Sequence, residues 1–138
     1  MFLLDTNVDS ELRKAKAGKS DSKVIGWAKD TSTLSLFISV ITVLELEMGV
    51  LQIERRDPIQ GAMLREWLDQ HVMPAFQNRI LPIDEPVARQ CARFHIPDPM
   101  SERDALIAAT AQVHHMTVVT RNTSDFQSSG ISLLNPWD

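Results

Sequence analysis

The chain has 138 residues, and its length and composition are those of one globular domain. Hydrophobic residues make up 43% and charged residues 23%, which excludes a disordered or fibrous chain, and no linker divides it, so we expect a single domain over residues 1–138. The one cysteine, Cys91, excludes an internal disulfide and a cysteine-based zinc site, and favours a cytoplasmic location. No apolar segment is long enough to span a membrane, so we expect no membrane partner.

The charge of the chain is unevenly distributed. Its formal net charge is −4, which argues against nucleic acid as a partner. However, six basic residues face only two acidic ones between positions 11 and 29, and all five lysines lie there. A local basic surface can bind a polyanion even in an acidic protein, so Lys14, Lys16 and Lys19 are candidate phosphate contacts. A pair of helices that simply exposes its charges to water explains this stretch equally well.

The N-terminal part of the chain predicts a strand and two helices. An apolar run over residues 1–4 stops at Asp5 and is typical of a buried parallel strand. Helical spacing of apolar residues then predicts a helix that Asn7 caps and Gly18 ends. A second helix is predicted over residues 22–30.

The rest of the chain continues this alternation. We predict strands over residues 36–39, 79–81, 116–120 and 131–134. We predict helices over residues 42–53, 57–76, from 84 onward, and 104–113. Strands that alternate with helices pair in parallel through right-handed crossovers. Ligands of such sheets bind beyond the carboxyl ends of the strands.

Four acidic residues lie at predicted strand ends or helix starts: Asp5, Glu45, Asp104 and Asp125. Each has a structural explanation when it is taken alone. Asp5 could cap the helix that follows it. Glu45 and Asp104 fit the third position of capping boxes that begin at Thr42 and Ser101. Asp125 lies in a polar run where turns are common. Function is therefore indicated only by the joint placement of the four acids at one edge of the sheet.

Clustered carboxylates at that edge favour a metal site. No lysine follows Lys29 to neutralise them, and like charges that lie close together are unfavourable unless they are protonated or bind a cation. Oxygen ligands suit magnesium or manganese, and such ions can activate water against a phosphodiester. The same lack of a downstream lysine argues against a phosphoaspartyl phosphatase or a receiver domain. The phosphatases also carry a second aspartate where this chain has Asn7.

Four segments resemble the motifs of the PIN-domain ribonucleases, specifically the toxins of the VapC/FitB type. These segments are Leu3–Val8, Ser39–Leu46, Asp104–Ala111 and Thr120–Phe126, and residues 133–138 are similar to the ending of the FitB-like branch. The resemblance covers essentially the whole chain, with the motifs in the usual order and spacing. It implies a three-layer α/β/α PIN domain with a mostly parallel central sheet.

The resemblance also implies a function. It is that of a Mg²⁺- or Mn²⁺-dependent endoribonuclease, the toxin component of a type II toxin–antitoxin system, which cleaves RNA phosphodiester bonds by metal-activated water. By resemblance the four acids are the catalytic and metal-binding residues, and Thr6 and Asn122 are supporting polar groups. The implied partners are an RNA substrate, a cognate antitoxin protein, a second copy in a homodimer, and operator DNA only through the antitoxin.

One residue departs from the family pattern, and two other functions stay open. Asp9 stands where the family usually has an aliphatic residue. It either extends the acidic cluster or, as we expect, favours the dipole at the start of the helix. The main alternative function is a catalytically silent PIN-fold module that binds RNA or protein. The other alternative is a nuclease that cleaves DNA, because nothing in the sequence indicates recognition of the 2′-hydroxyl that distinguishes RNA from DNA.

Overall fold

The computed structural model describes residues 1–138 except for the side chain of Lys16, so the expected phosphate contact at Lys16 lies outside the described part. Over the described residues the strands are β1 (Phe2–Leu4), β2 (Leu36–Ser39), β3 (Ile80–Leu81), β4 (Thr117–Val119) and β5 (Leu133–Leu134). The helices are α1 (Thr6–Arg13), α2 (Ser22–Lys29), α3 (Val40–Arg56), α4 (Pro58–Trp67), α5 (Met73–Ala75), α6 (Glu85–Phe94) and α7 (Glu102–Val113). None of these helices is both long and apolar enough to cross a membrane.

The strands form one parallel sheet in the order β3-β2-β1-β4-β5. Its central strand is β1, in which Leu3 lies in register with Phe37 of β2 and Val118 of β4. The expected parallel sheet is confirmed, and every strand pair in it is parallel. As a result, β1, β2 and β4 end at the same edge of the sheet.

Helices cover both faces of the sheet. Leu3 and Leu4 are fully buried, and successive strand residues point to opposite faces. Leu4 packs in a core cluster with Val8 of α1, whereas Leu3 packs in a second cluster with Ile107 of α7 and Phe126. Burying a leucine side chain contributes roughly 1.5–3 kcal/mol, so both clusters hold β1 in the centre. The three-layer α/β/α architecture is confirmed.

Helix α1 begins earlier than the sequence indicated, because Asp5 rather than Asn7 caps it. The Asp5 backbone is extended, and its Oδ1 accepts a hydrogen bond of 2.8 Å from the backbone N–H of Thr6. Aspartate and asparagine are equally good caps. The chain uses the one nearer to the end of β1, which leaves the Asn7 amide free to bind side chains.

Helix α3 also has a different cap from the expected one. The Ser39 hydroxyl accepts hydrogen bonds from the backbone N–H groups of Ile41 and Thr42, at 3.1 and 3.3 Å. The capping box predicted between Thr42 and Glu45 is therefore wrong. Glu45 lies in the second turn of α3, so its carboxylate is not used to cap the helix.

A tight hairpin connects α3 with α4. A Cβ atom on Gly61 would lie 2.4 Å from the Cα atom of Glu54, so this approach requires glycine. Arg65 of α4 donates hydrogen bonds to Glu47 and Glu54 of α3, with Nη1 2.9 Å from Glu47 Oε1. After α4, the π-helical turn Leu68–Val72 leads into α5, so the long helix predicted over residues 57–76 consists of three parts.

Candidate active site

The four acids line one cleft of about 440 Å³ at the carboxyl edge of the sheet. We call Asp5, Glu45, Asp104 and Asp125 the acid cluster. Asp5 directly follows β1 and Glu45 lies on the helix after β2. Asp104 lies in the first turn of α7, and Asp125 in the 3₁₀ segment Thr123–Ser129 that follows β4. The topology therefore brings together residues that lie up to 120 positions apart.

Asp5 is the most tightly held member of the acid cluster. Only 7% of the residue is exposed, and its Oδ2 accepts a 2.8 Å hydrogen bond from the Thr120 hydroxyl. The Asn7 side-chain amide lies 3.3 Å from the same oxygen, and the Asp5 backbone N–H donates to the carbonyl of Val119. Burial raises the pKa of Asp5, and the charges of Glu45 and Asp125 add to this, while the hydrogen bonds oppose it.

Glu45 is held by two side chains. Thr6, predicted as a supporting polar group, donates a 2.8 Å hydrogen bond from its hydroxyl to Glu45 Oε1. Arg103 lies on the other side, with Nη1 3.6 Å from Glu45 Oε2. Sequence reasoning missed Arg103, because only lysine was considered as a counter-charge. The one sequence signal for it is its position beside Asp104.

Asp104 has a clearly perturbed carboxyl group. The pKa of Asp104 is raised to about 6, mainly by partial burial and in addition by the charges of Asp5, Asp125 and Glu45, against a smaller lowering effect of Ser101. Mutual repulsion was the expected cause, but burial is the larger one. Ser101 makes no side-chain hydrogen bond to a backbone N–H of α7, so the capping box expected there is wrong.

The segment after β4 joins the acid cluster through Thr120. The Thr120 hydroxyl accepts a 3.0 Å hydrogen bond from the backbone N–H of Asn122 while it donates to Asp5. Asn122, predicted as a supporting polar group, lines the cleft, and its carbonyl accepts from the N–H of Asp125. Sequence reasoning missed Thr120, although its position directly after a buried strand is the same signal that singled out Asp5.

The structure separates the candidate phosphate contacts. Lys14 lines the cleft, and its Nζ lies 3.7 Å from Oε1 of Glu11. Lys19 is exposed and does not line the cleft. Of these two lysines, only Lys14 is adjacent to the acid cluster.

Asp9 is buried and lies outside the cleft. It is 4% exposed, and its Oδ2 has no hydrogen-bond partner among the described residues. Burial raises the pKa of Asp9 well above its usual range, and the charge of Asp5 adds to this shift. Asp9 lies in the first turn of α1, where a negative charge is favourable to the helix dipole, and it does not line the cleft. The interpretation that we favoured from the sequence therefore stays a prediction.

The acid cluster offers a hard cation a suitable set of donors. All four members supply oxygen, and burial raises the pKa of Asp5 and of Asp104, so a bound cation would favour the charged forms of both. Among the described residues, no three acidic, imidazole or thiol side chains converge closely enough to surround an ion. Magnesium usually keeps several waters and binds through one or two carboxylates, so it does not need three converging side chains. Any of the four could contribute a ligand.

Fold and site define the chain as an α/β protein with a carboxylate site at the edge of a parallel sheet. The family model described as "PIN domain" matches residues 2–128. The chain is 37% identical to Toxin FitB of Neisseria gonorrhoeae, over 99% of both chains, and 36% identical to VapC ribonuclease Y4jK of Sinorhizobium fredii, over 100% and 99%. The chain therefore belongs to the PIN-domain family and is of the VapC/FitB type.

Solved structures agree with this assignment. The crystal structure of FitAcB from Neisseria gonorrhoeae matches with a TM-score of 0.89 and 36% identity, over 99% of both chains. The structure of FitAB bound to a DNA fragment also matches with a TM-score of 0.89, at 35% identity, over 100% of this chain and 96% of that one. The fold of this chain is thus closely similar to the folds of these two solved chains.

Proposed function

We propose that this protein is a metal-dependent endoribonuclease and the toxin component of a type II toxin–antitoxin system. The observation that carries the proposal is the meeting of the four acids in one cleft, with Thr6 and Thr120 holding two of them in place. Relatives named as a toxin and as a VapC ribonuclease support it.

In the proposed reaction, water attacks the phosphorus of an RNA phosphodiester in line with the bond to O3′. That bond breaks, leaving a 5′-phosphate on one fragment and a 3′-hydroxyl on the other. Magnesium or manganese, when bound, supplies the Lewis acidity that activates water and stabilises the leaving oxygen. The acid cluster would hold the ion, Thr6 keeps Glu45 directed into the cleft, and Lys14 at the rim attracts the substrate phosphates.

The proposed partners follow from the relatives. A cognate antitoxin would bind this chain and connect it to operator DNA, as the solved structure of FitAB with a DNA fragment supports. We also propose a homodimer in the cytoplasm. The alternative, a silent binding module, has less support, because such a module has no need to keep four carboxylates in one cleft against their mutual repulsion.

Chelation should stop cleavage. With excess EDTA the purified protein is expected to leave a mixed-sequence RNA intact, and magnesium or manganese should restore cleavage, because an oxygen-only site needs a hard divalent ion. Calcium should not restore a comparable rate, since it is larger and less strict in geometry. The measurement is gel analysis of labelled RNA, with the corresponding DNA as a second substrate.

Two outcomes would contradict the proposal in different ways. Full cleavage in EDTA would rule out the metal mechanism but would not contradict the nuclease activity. Cleavage of the DNA at the same rate as the RNA would replace the endoribonuclease with a nuclease that does not distinguish the two sugars.

The basic stretch should contribute to substrate binding rather than to chemistry. Changing Lys14, Lys16 and Lys19 to alanine is expected to weaken RNA binding and to flatten its salt dependence, by about 0.7 in log–log slope for each phosphate of a single strand that is no longer neutralised. Because Lys14 lines the cleft and Lys19 does not, Lys14→Ala should weaken binding more than Lys19→Ala. Binding is measured by fluorescence anisotropy at several salt concentrations.

The matched control removes three positive charges elsewhere, by changing Arg55, Arg56 and Arg89 to alanine. All three are exposed. If this control flattens the slope as much as the lysine variant does, net charge rather than a local contact explains the effect. An unchanged slope in the lysine variant would assign the basic stretch to solubility or to the antitoxin.

A further inference from the structure

An arginine and a tryptophan share the rim of the cleft. Arg121 and Trp137 both line the cleft that the acid cluster lines. The guanidinium carbon of Arg121 lies 5.5 Å from the centroid of the Trp137 ring. This distance is within the range of a cation–π contact, which favours a position of the guanidinium over the ring.

Hydrogen bonds fix the backbone around this pair. The Arg121 N–H donates to Oδ1 of Asn7 at 3.3 Å, next to the end of β1. The Asn135 side-chain amide donates to the carbonyl of Arg121, and Asn135 Oδ1 accepts a 2.9 Å hydrogen bond from the Trp137 N–H. Arg121 and Trp137 are therefore connected through Asn135, and Arg121 is hydrogen-bonded to Asn7, which also binds Asp5.

The charge of Arg121 is not paired with a carboxylate in the described part of the chain. Among the described residues, no carboxylate lies within 4 Å of its guanidinium, and the side chain is exposed. Two other described cations near the acid cluster differ, because Arg103 pairs with Glu45 and Lys14 with Glu11. A guanidinium held against a ring still has N–H groups along its edge, and this planar fork matches two oxygens of a phosphate.

We propose that Arg121 binds the non-bridging oxygens of the RNA phosphate next to the one that is cleaved, and that Trp137 is a positioning residue that holds the guanidinium. This inference rests on the proposed function, in which RNA enters the cleft. The negative charge of the acid cluster repels the RNA strand. A cation at the rim of the cleft that no described carboxylate pairs with offsets this repulsion. Trp137 acts only through Arg121 and has no direct part in the reaction.

The test measures binding of a short fluorescein-labelled single-stranded RNA of mixed sequence, by anisotropy in magnesium, in an Asp104→Asn background that prevents cleavage. Arg121→Ala should raise the Kd roughly tenfold, as expected when a charge-assisted hydrogen bond is removed, and lower the salt slope by about 0.7. Arg121→Lys should keep the slope but recover only part of the affinity, because it lacks the planar fork. Arg56→Ala removes the same charge far from the cleft and should change neither quantity.

Trp137 provides a second readout. Trp137→Leu should raise the Kd while keeping the salt slope, because the charge of Arg121 remains but is no longer held. Trp137→Phe should restore the affinity, since it keeps a ring under the guanidinium. Thermal melting of each variant establishes that it is folded. If Trp137→Phe binds no better than Trp137→Leu, the positioning role of the ring is wrong.

The failure of this inference differs from a failure of the proposed function. If the wild-type chain cleaves RNA, and Arg121→Ala binds RNA as Arg56→Ala does, the contact at Arg121 is wrong and the nuclease function stands. If the wild-type chain never cleaves RNA but Arg121→Ala still weakens binding, Arg121 binds an RNA phosphate and the nuclease function is wrong.

Discussion

Replacing Asp104 with asparagine should lower RNA cleavage by more than about a hundredfold, while the metal-free protein stays as stable as the wild type or becomes more stable. Asparagine keeps the shape of the side chain but removes a negative charge that partial burial and three neighbouring carboxylates make unfavourable. Loss of activity without loss of stability would identify Asp104 as part of the active site rather than as a structural residue. Asp98→Asn, in the exposed loop before α7, is the matched control.

The raised pKa of Asp104 determines how the stability difference between Asp104→Asn and the wild type changes with pH. The pKa of Asp104 is about 6 in the folded protein, above roughly 3.9 in an unfolded chain, so the folded metal-free form binds more protons. Its stability therefore falls as the pH rises from about 4 through about 6. The variant lacks this contribution, so its advantage over the wild type should grow across that window and then stay constant. Thermal melting in EDTA over a pH series measures the difference.

Magnesium should reverse the disadvantage of the wild type. A ligand at a hundredfold excess over its Kd adds roughly 2.7 kcal/mol to the stability of a protein that binds it only when folded. Asp104→Asn should gain less than this. If the wild type gains nothing from magnesium and Asp104→Asn is less stable at every pH, Asp104 is a structural residue and the acid cluster is no metal site.

Replacing Asp9 with leucine should stabilise the protein by about 1–3 kcal/mol near neutral pH, because it removes a buried polar group with an unpartnered oxygen. The folded-state pKa of Asp9 lies well above its unfolded value, so the wild type loses stability as the pH rises from about 4 through that folded pKa. The gain from Asp9→Leu should therefore be small in acid and larger at neutral pH. Denaturant unfolding at about pH 5 and about pH 8 measures it.

Two further variants separate charge from packing at this position. Leucine is larger than aspartate and overpacking costs stability, so Asp9→Ala tests removal of the carboxyl group without added volume. Asp98→Ala removes an exposed aspartate and should show no gain that depends on pH. A gain from Asp9→Leu and Asp9→Ala that is equal at both pH values would mean that the carboxyl group of Asp9 is not the cause.

The sheet could be predicted from the sequence because its strands are short continuous apolar runs. β2 was predicted with its observed bounds, Leu36–Ser39, and the alternation of strands with helices was sufficient for parallel pairing. The helix starts were harder to predict, because neighbouring residues compete as caps. Asp5 directly follows β1 and Ser39 is the last residue of β2, and this position at the strand end, which makes each the cap of the next helix, does not show in a capping pattern.

The gathering of the acid cluster could be predicted, but its surroundings could not. In a parallel sheet, acids that follow a strand or lie near the start of the next helix come together at the carboxyl edge through the topology alone. The contact between Arg103 and Glu45 depends on how far α7 lies from α3, and the support of Arg121 by Trp137 depends on the path of the last residues. Such distances between remote side chains leave no local pattern in the sequence.

One carboxylate holds together parts of the chain that would otherwise open separately. Asp5 caps α1 through one oxygen and binds Thr120 through the other, so fraying of the first turn of α1 also releases the segment after β4. In native-state hydrogen exchange, the amides of Thr6 and Asn122 should then behave as one cooperative unit rather than as a helix end and a loop. The cleft would accordingly exist only as long as that unit stays closed, and an ion bound there would slow exchange at both amides together.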